Sequence, residues 1–83
     1  MLNIEVFSAP GCGKCGHAKE ILKNIVLQYK ENLTWREVDI MQDMDYAVEL
    51  GVLSTPAIAI DGQLVFTSLP SKEKLLAEIE RRL

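Results

Sequence analysis

Near its beginning the chain reads Cys12-Gly13-Lys14-Cys15, and these two cysteines are the only ones among its 83 residues. The run follows an alternating apolar segment and precedes a segment of helical periodicity, which places it at a predicted strand-to-helix junction. Two cysteines three residues apart at the start of a helix share one turn, so they can close a short disulfide that leaves one sulfur facing solvent. A lone cysteine pair beside such a pattern is typical of redox chemistry.

Two other uses of a cysteine pair are weaker here. A disulfide that closes so short a loop would restrict the unfolded chain by only about 2 kcal/mol, which makes a structural staple a poor explanation. A zinc site takes four ligands, commonly from two such pairs, whereas this chain has one pair and a single histidine, His17. We therefore predict a redox dithiol, no metal site and no bound cofactor.

Length, composition and charge describe one small unit. With 83 residues, 48% of them hydrophobic and 25% charged, the chain suits one soluble domain, residues 1–83, with a single core. Its net charge of -3 and its scattered basic residues give no reason to expect nucleic acid or a membrane surface as a partner. The first residues lack the basic and apolar regions of a signal peptide, and no stretch reaches transmembrane length. These features predict a cytoplasmic monomer, and in a reducing cytosol a cysteine pair is more often catalytic or metal-binding than structural.

The rest of the chain predicts an alternation of strands and helices. Apolar alternation predicts a strand over residues 2–7, and an apolar stripe with three- and four-residue steps predicts a helix running to about Tyr29. A strand of mixed polarity over 34–40 fits the edge of a sheet. Asp43 is placed to cap a short helix that ends at Gly51, where a left-handed residue costs little.

A hairpin and a last helix complete the prediction. Residues 57–60 and 63–66 flank Asp61-Gly62, a preferred two-residue hairpin turn. Ser71 caps a helix whose buried stripe consists of Leu75, Leu76, Ile79 and Leu83. The order is β-α-β-α-β-β-α, an α/β fold. A right-handed crossover makes the first two strands parallel, the hairpin adds two antiparallel strands, and helices cover both faces of a four-stranded mixed sheet.

The cysteine run, together with Ser54-Thr55-Pro56 at the opening of the hairpin, resembles the thioredoxin fold family over nearly the whole chain. The length is similar to that of glutaredoxins and of compact thioredoxin-like proteins of microbes. The resemblance implies a cis peptide bond between Thr55 and Pro56, with the proline against the dithiol, although for Pro56 alone the start of a strand is the simpler interpretation. It further implies that the backbone at Thr55 pairs with an extended substrate segment, and that Gly11 and Gly13 belong to the same substrate-binding surface.

The chemistry depends on forming a thiolate. Only the thiolate attacks a disulfide, and a free cysteine with a pKa near 8.5 is only about 3% ionised at pH 7. We expect Cys12 at the N-terminus of the first helix, where unpaired N–H groups and the positive dipole end stabilise an anion, and Cys15 one turn in, facing inward. Cys12 would then attack, and Cys15 would resolve the mixed disulfide. Lys14 is a second positive charge; His17 could tune the thiols or move a proton, but a partly exposed residue without a catalytic role is the favoured interpretation of His17.

The chain departs from both families that it resembles. Thioredoxins usually have Trp before the first cysteine and a buried Asp on the preceding strand, whereas this chain has Gly11 and Val6 there. Glu5 should point to the opposite face of the sheet, so water or His17 would have to take the proton of the resolving thiol. The Gly-Gly and acidic motif with which glutaredoxins hold glutathione is replaced by residues 66–69.

The leading hypothesis is a small cytosolic enzyme, a protein-disulfide reductase of the thioredoxin and glutaredoxin type. Its partners would be disulfide-containing proteins and a reductase of the thioredoxin-reductase type that returns electrons, a role in cell redox homeostasis. One alternative is a binding module in which the two thiolates hold a soft metal ion such as Cu(I) or a metal cluster. A second alternative is a glutathione-dependent glutaredoxin. A third is a regulator whose shape responds to the disulfide, which shares the same chemistry.

Overall fold

The computed structural model describes residues 2–29 and 31–83, and in these ranges strands and helices alternate in the predicted order. The elements are β1 (Leu2–Ser8), α1 (Cys15–Gln28), β2 (Leu33–Asp39), α2 (Met44–Leu50), β3 (Ala57–Ile60), β4 (Gln63–Phe66) and α3 (Lys72–Arg82). β2 lies one residue earlier than predicted. None of the helices in these ranges is long and apolar enough to cross a membrane.

Within the described residues the strands form one mixed sheet in the order β2-β1-β3-β4. β1 runs parallel to β2 and antiparallel to β3, and β4 runs antiparallel to β3. The predicted parallel first pair, the added antiparallel hairpin and the edge position of β2 are confirmed. Because β1 is an inner strand, the loop that leaves its carboxyl end begins between two neighbouring strands.

Both faces of the sheet carry helices, and each face has its own apolar core. On one face α1 and α3 pack on the sheet, and the buried residues are Leu2, Ile4, Val6, Ala18, Leu22, Ile25, Leu33, Ile58, Ile60, Leu75 and Ile79. On the other face lies α2, and the smaller core consists of Phe7, Val38, Ala47, Val52, Ala57 and Ala59. Val6 and Phe7 belong to different cores because successive side chains of a strand point to opposite faces. The prediction of helices on both faces is confirmed.

Three local signals begin or end elements as predicted. Asp61 and Gly62 have positive φ values of 50° and 81°, which is the backbone of a favoured two-residue hairpin turn. Gly51, with φ of 90°, ends α2 in the left-handed conformation that glycine adopts without strain. Ser71 Oγ accepts a hydrogen bond from Lys74 N at 3.2 Å and caps α3.

Two details of the predicted helices are wrong. Asp43 occupies the N-cap position of α2, but its side chain makes no capping hydrogen bond, because its backbone (φ -114°, ψ 48°) is not in the extended conformation usual for a capping residue. Leu83 is 51% exposed and does not belong to the buried stripe of α3. The helix ends at Arg82, so Leu83 follows its last turn, and the buried stripe closes with Ile79.

A buried carboxylate lies on the face that α2 covers. Glu5 accepts hydrogen bonds at Oε2 from Arg36 Nη2 (2.5 Å) and Nε (3.0 Å), and at Oε1 from the Tyr46 hydroxyl (2.5 Å). The Arg36 guanidinium also lies 5.8 Å from the centre of the Tyr46 ring. The carboxylate therefore points away from the face of Val6, as predicted, and it ties α2 to the neighbouring strands β1 and β2.

We expect Tyr46→Phe to destabilise the fold by about 1.5 kcal/mol at neutral pH, the lower end for a hydrogen bond to a charged group, because Glu5 Oε1 loses its donor. The hydrogen bond to Glu5, followed by burial, raises the pKa of Tyr46 above its ordinary value. With a raised folded pKa, this contribution is complete below about pH 10 and is lost as the pH rises through the folded value. Urea unfolding at neutral pH and at about pH 11 measures both effects.

Tyr29→Phe is the matched control for that measurement. The Tyr29 hydroxyl donates to the exposed Glu80 at 2.8 Å, so a smaller loss is expected. Both substitutions remove only a hydroxyl and leave the ring in place. Equal stability of the wild type and Tyr46→Phe at neutral pH would contradict the tie between α2 and the sheet.

Candidate active site

Cys12 and Cys15 form a disulfide, with their Cα atoms 5.5 Å apart. The bond lies in the loop that follows β1. Within this loop Cys12 N donates to the carbonyl oxygen of Ala9 at 3.2 Å and closes a tight turn. Gly11 has φ of 79° in that turn, a conformation that favours glycine. The residue before the first cysteine is therefore set by the backbone of the turn.

The two cysteines have different surroundings. Cys12 is half-buried, whereas Cys15 is only 4% exposed. Cys15 is the first residue of α1, and Ala18, three residues further along the helix, is packed in the core beneath it. A partner that approaches the loop therefore meets the sulfur of Cys12 first.

The expected position of Cys12 at the N-terminus of a helix needs a correction. α1 begins at Cys15, with Lys14 at its N-cap, and Cys12 lies in the preceding turn because the hydrogen bond to Ala9 holds it outside the helix. The disulfide still keeps Cys12 Sγ beside the first helical turn. Lys14 makes no side-chain cap and the first turn contains no acidic residue, so nothing there neutralises the positive end of the helix. An anion in a partly buried position of this kind is stabilised by up to about 2 kcal/mol, which favours a thiolate on Cys12.

The second predicted part of the site is the Thr55-Pro56 peptide bond, which is cis. Pro56 is buried and directly precedes β3, whose first residue, Ala57, pairs with Phe7 on β1. Because β3 runs antiparallel to β1, the first residue of β3 and the last residues of β1 lie at the same end of the sheet. The register therefore brings the loop that contains Pro56 to the end of the sheet that carries the cysteine loop.

The proline loop presents an apolar side chain and backbone to solvent. Ser54 Oγ donates to the carbonyl oxygen of Thr67 at 3.0 Å, which fastens the loop to the segment after β4. Leu53 projects outward with 98% of its surface exposed, beside a small cavity of about 290 Å³. Thr55 is half-buried. The proline loop can therefore make apolar and main-chain contacts with another molecule.

The other predicted site residues lie on exposed surface around Cys12. A Cβ atom at Gly11 or Gly13 would meet no atom within 4 Å outside the adjoining residues, so both glycines leave open space beside the cysteine. Lys14 and His17 are exposed at the start of α1. Water screens an exposed charge: for an assumed separation of about 6 Å, the effect of Lys14 on a thiolate is limited to about 0.7 kcal/mol.

A larger groove lies away from the cysteines. It has a volume of about 630 Å³ and is lined by residues that include Asn3, Glu5, Arg36 and Tyr46. Asn3 is near the amino end of β1, whereas the disulfide follows the carboxyl end, so the groove belongs to the opposite end of the sheet. The disulfide lies outside this groove, in a loop where Cys12 is half-buried and Gly11, Gly13 and Lys14 are exposed.

The sequence did not predict one polar cluster beside the cysteine loop. Glu37 Oε2 accepts hydrogen bonds from Ser8 Oγ at 2.8 Å and from Lys19 Nζ at 2.9 Å. The hydrogen bond from Lys19, followed by that from Ser8, holds the pKa of Glu37 below its ordinary value. The available signal is the period of the strand: Glu37 follows Leu33 and Trp35 on the face of β2 that α1 covers, where a charge needs a partner.

Known proteins share this architecture. The family model of the thioredoxin domain matches residues 2–80. A probable thioredoxin of Methanothermobacter thermautotrophicus is 37% identical over 95% of this chain and 93% of its own length. A thioredoxin of Methanocaldococcus jannaschii is 29% identical over 99% of this chain and 96% of its own length. The crystal structure of Deadhead, a germline-specific thioredoxin of Drosophila melanogaster, superposes with a TM-score of 0.85 at 17% identity, over 99% of this chain and 81% of that one, and the predicted fold is confirmed.

In the reduced protein at neutral pH we expect iodoacetamide to modify Cys12 at least about tenfold faster than Cys15, because Cys12 is more accessible and lies beside the positive end of α1. A time course with peptide mass spectrometry measures the two rates. The same reaction in urea is the control, since both thiols should then react at similar rates. Faster modification of Cys15 in the native protein would contradict the order of access.

Proposed function

Because the chain belongs to the thioredoxin family and is a thiol-disulfide oxidoreductase, we propose that it reduces disulfide bonds in other proteins. The observation that carries this proposal is the disulfide between half-buried Cys12 and buried Cys15. This disulfide lies at the start of a helix, at the same end of the sheet as Pro56. In this arrangement one sulfur can meet a partner while the other remains behind it.

We assign attack to Cys12 and resolution to Cys15. The Cys12 thiolate attacks one sulfur of a partner disulfide, forms a mixed disulfide and releases the partner's other sulfur as a thiolate, which takes up a proton. Cys15 then loses its proton and attacks Cys12 Sγ, and the bond between Cys12 and the partner breaks. The partner has gained two electrons and two protons, and the chain holds the disulfide between Cys12 and Cys15.

Substrate contacts would come from the cysteine loop and the proline loop, which lie at the same end of the sheet. The backbone of Thr55 is placed to pair with an extended segment beside the partner's disulfide, in the manner of an added strand. Gly11 and Gly13 leave space for that segment near Cys12, and Leu53 adds an apolar contact. Because these contacts are main-chain or apolar, the range of protein substrates would be broad.

The two ionisable residues next to the cysteines contribute little to this proposal. Lys14 would stabilise the Cys12 thiolate weakly, since its charge is exposed to water. We assign no catalytic role to His17, which is also exposed.

The alternative functions have less support. A dithiol that holds a soft metal ion usually has further ligands, and residues 2–29 and 31–83 contain no group of three or more His, Cys, Asp or Glu side chains that could hold one. A glutathione-dependent glutaredoxin needs polar groups for the glutathione carboxylates. In this chain residues 66–69 read Phe-Thr-Ser-Leu where the glutathione motif would stand.

The proposal also names a donor and a setting. Each cycle leaves the chain oxidised, so a second enzyme must return two electrons, and a reductase of the thioredoxin-reductase type fits the family. We propose that residues 1–83 act as one domain, as a monomer and in the cytoplasm, where the donor keeps the dithiol reduced. The substrates are proteins with accessible disulfides, and neither nucleic acid nor membrane has a part in the reaction.

We expect the wild type to accelerate the reduction of insulin disulfides by dithiothreitol, measured as turbidity from the released chains. Cys12→Ser should lose all acceleration because the attacking sulfur is gone. Cys15→Ser should be much slower than the wild type, because only dithiothreitol can then displace the partner from Cys12. When the reduced variant is mixed with insulin without dithiothreitol, it should accumulate a mixed disulfide with the substrate. Electrophoresis without reducing agent detects that adduct.

His17→Gln is the control for the insulin assay, and it should keep the rate of the wild type because His17 has no assigned role. A wild type no faster than either serine variant would overturn the proposed reductase activity. Stoichiometric Cu(I) or zinc retained by the reduced wild type, and lost from both serine variants, would favour the metal-binding alternative instead.

A further inference from the structure

The resolving step of the proposed function requires a group that accepts a proton. Cys15 can attack only as a thiolate, so its thiol proton must leave during that step. With 4% of its surface exposed, Cys15 has little contact with bulk water. A side chain close to the buried thiol is therefore the natural acceptor, and the chain offers few candidates.

The geometry of α1 decides which flank of the helix Cys15 occupies. Lys19 follows Cys15 by four residues, so the two side chains are about 40° apart around the helix axis. Helical side chains lean toward the N-terminus, which brings Lys19 over the turn that carries Cys15. His17, two residues after Cys15, lies about 200° around the axis and is exposed on a different flank. Lys19, but not His17, is therefore a neighbour of Cys15.

Glu37 reaches the same flank from the sheet. Lys19 Nζ donates to Glu37 Oε2 at 2.9 Å, and Glu37 pairs in register with Val6, which is buried beneath α1. Ser8 Oγ, from the end of β1 where the cysteine loop begins, donates to the same oxygen at 2.8 Å. Both hydrogen bonds go to Oε2, so Oε1 is left to accept from another donor. Glu5, the other carboxylate near the middle of the sheet, lies on the opposite face.

We infer that Glu37 accepts the thiol proton of Cys15 in the resolving step, with Ser8 and Lys19 as positioning residues. This inference rests on the proposed function. The S–H bond of Cys15 breaks as its proton passes to Glu37 Oε1, directly or through one water. The Cys15 sulfur forms a bond with Cys12 Sγ, the bond from Cys12 to the partner breaks, and the partner leaves as a thiolate. Glu37 then gives the proton to water or to the departing thiolate.

The exposure of Glu37 suits an acceptor that must be reset in each cycle. The side chain of Glu37 is 43% exposed and that of Lys19 is 36% exposed, so a proton that Glu37 takes up can leave to solvent. The hydrogen bonds from Lys19 and Ser8 hold the pKa of Glu37 down, which keeps it ionised at neutral pH but makes it a weaker base. The other charged groups nearby are Asp39, two residues further along β2, and Lys23, one turn beyond Lys19 on α1. The facing residues of β3 and α3 are apolar.

A coloured aryl disulfide, dithiobis(nitrobenzoate), separates the two steps in the full reduced chain. Attack by Cys12 releases a first aryl thiolate, and resolution by Cys15 releases a second, so stopped-flow absorbance reports both rates. In Glu37→Gln we expect an unchanged first release and a second release slower by about tenfold at neutral pH. This is less than the factor of about 10² to 10⁴ usual for general-base catalysis, because Glu37 is a weak base.

The pH profile of the second release distinguishes a proton acceptor from a merely structural residue. In the wild type the rate should be nearly constant from about pH 5.5 to 7, where Glu37 is ionised. In Glu37→Gln it should rise about tenfold per pH unit, because only thiol already ionised by solvent can react. Added acetate should restore part of the second rate in Glu37→Gln and leave the wild type unchanged.

Glu20→Gln is the matched control, since Glu20 is an exposed glutamate that follows Lys19 on α1. It should leave both releases as in the wild type. A flat profile for Glu37→Gln, or equal slowing in Glu20→Gln, would overturn the role of Glu37 while leaving the reductase proposal intact. Lys19→Met gives a second test that keeps the carboxylate, because it should move the acid limb of the second release to higher pH. A wild type inactive on insulin would instead remove the proposed function itself, and this inference with it.

Discussion

The pairing of β1 with a parallel neighbour on one side and an antiparallel neighbour on the other is the constraint on which the site depends. The parallel pairing with β2 forces the chain to cross over the sheet, and α1 makes that crossing directly after the cysteine loop. The antiparallel pairing with β3 puts the start of β3 beside the end of β1. Pro56 and the disulfide thus lie at the same end of the sheet, although they are far apart in the sequence. Neither loop could define this site without the register of the inner strand.

Features that depend on neighbouring residues were predictable from the sequence. The turn at Asp61-Gly62, the left-handed Gly51 and the cap at Ser71 each follow from the conformational preferences of one or two residues. The strands and helices follow from the period of their apolar residues, and the short connections leave few topologies to choose from. The thioredoxin fold and the position of the dithiol at the end of the first strand belong to this predictable part.

Features that depend on where a helix begins or ends, or on tertiary partners, were not predictable. The turn closed by Cys12 and Ala9 keeps Cys12 outside the helix, and its hydrogen bond cannot be read from composition or period. The partners of Glu5 and Glu37 come from other elements, so sequence analysis can place each carboxylate on a face but cannot name its donor. The exposed end of α3 at Leu83 is a similar case, since the apolar stripe continues in the sequence after the helix has ended.

The positions of the acidic residues follow from the cost of desolvating a charge. A carboxylate in place of Val6 would be buried between α1 and β1. It would then need as many hydrogen-bond donors as Glu5 receives from Arg36 and Tyr46 on the other face. At Glu37 the strand is at the edge of the sheet, so the charge keeps contact with water and the lysine that meets it is also partly exposed. The chain can therefore keep the face of β1 beneath the dithiol apolar and still hold a carboxylate on the neighbouring strand. A carboxylate at the position of Glu37 can exchange protons with solvent, and the packing of the core does not depend on it.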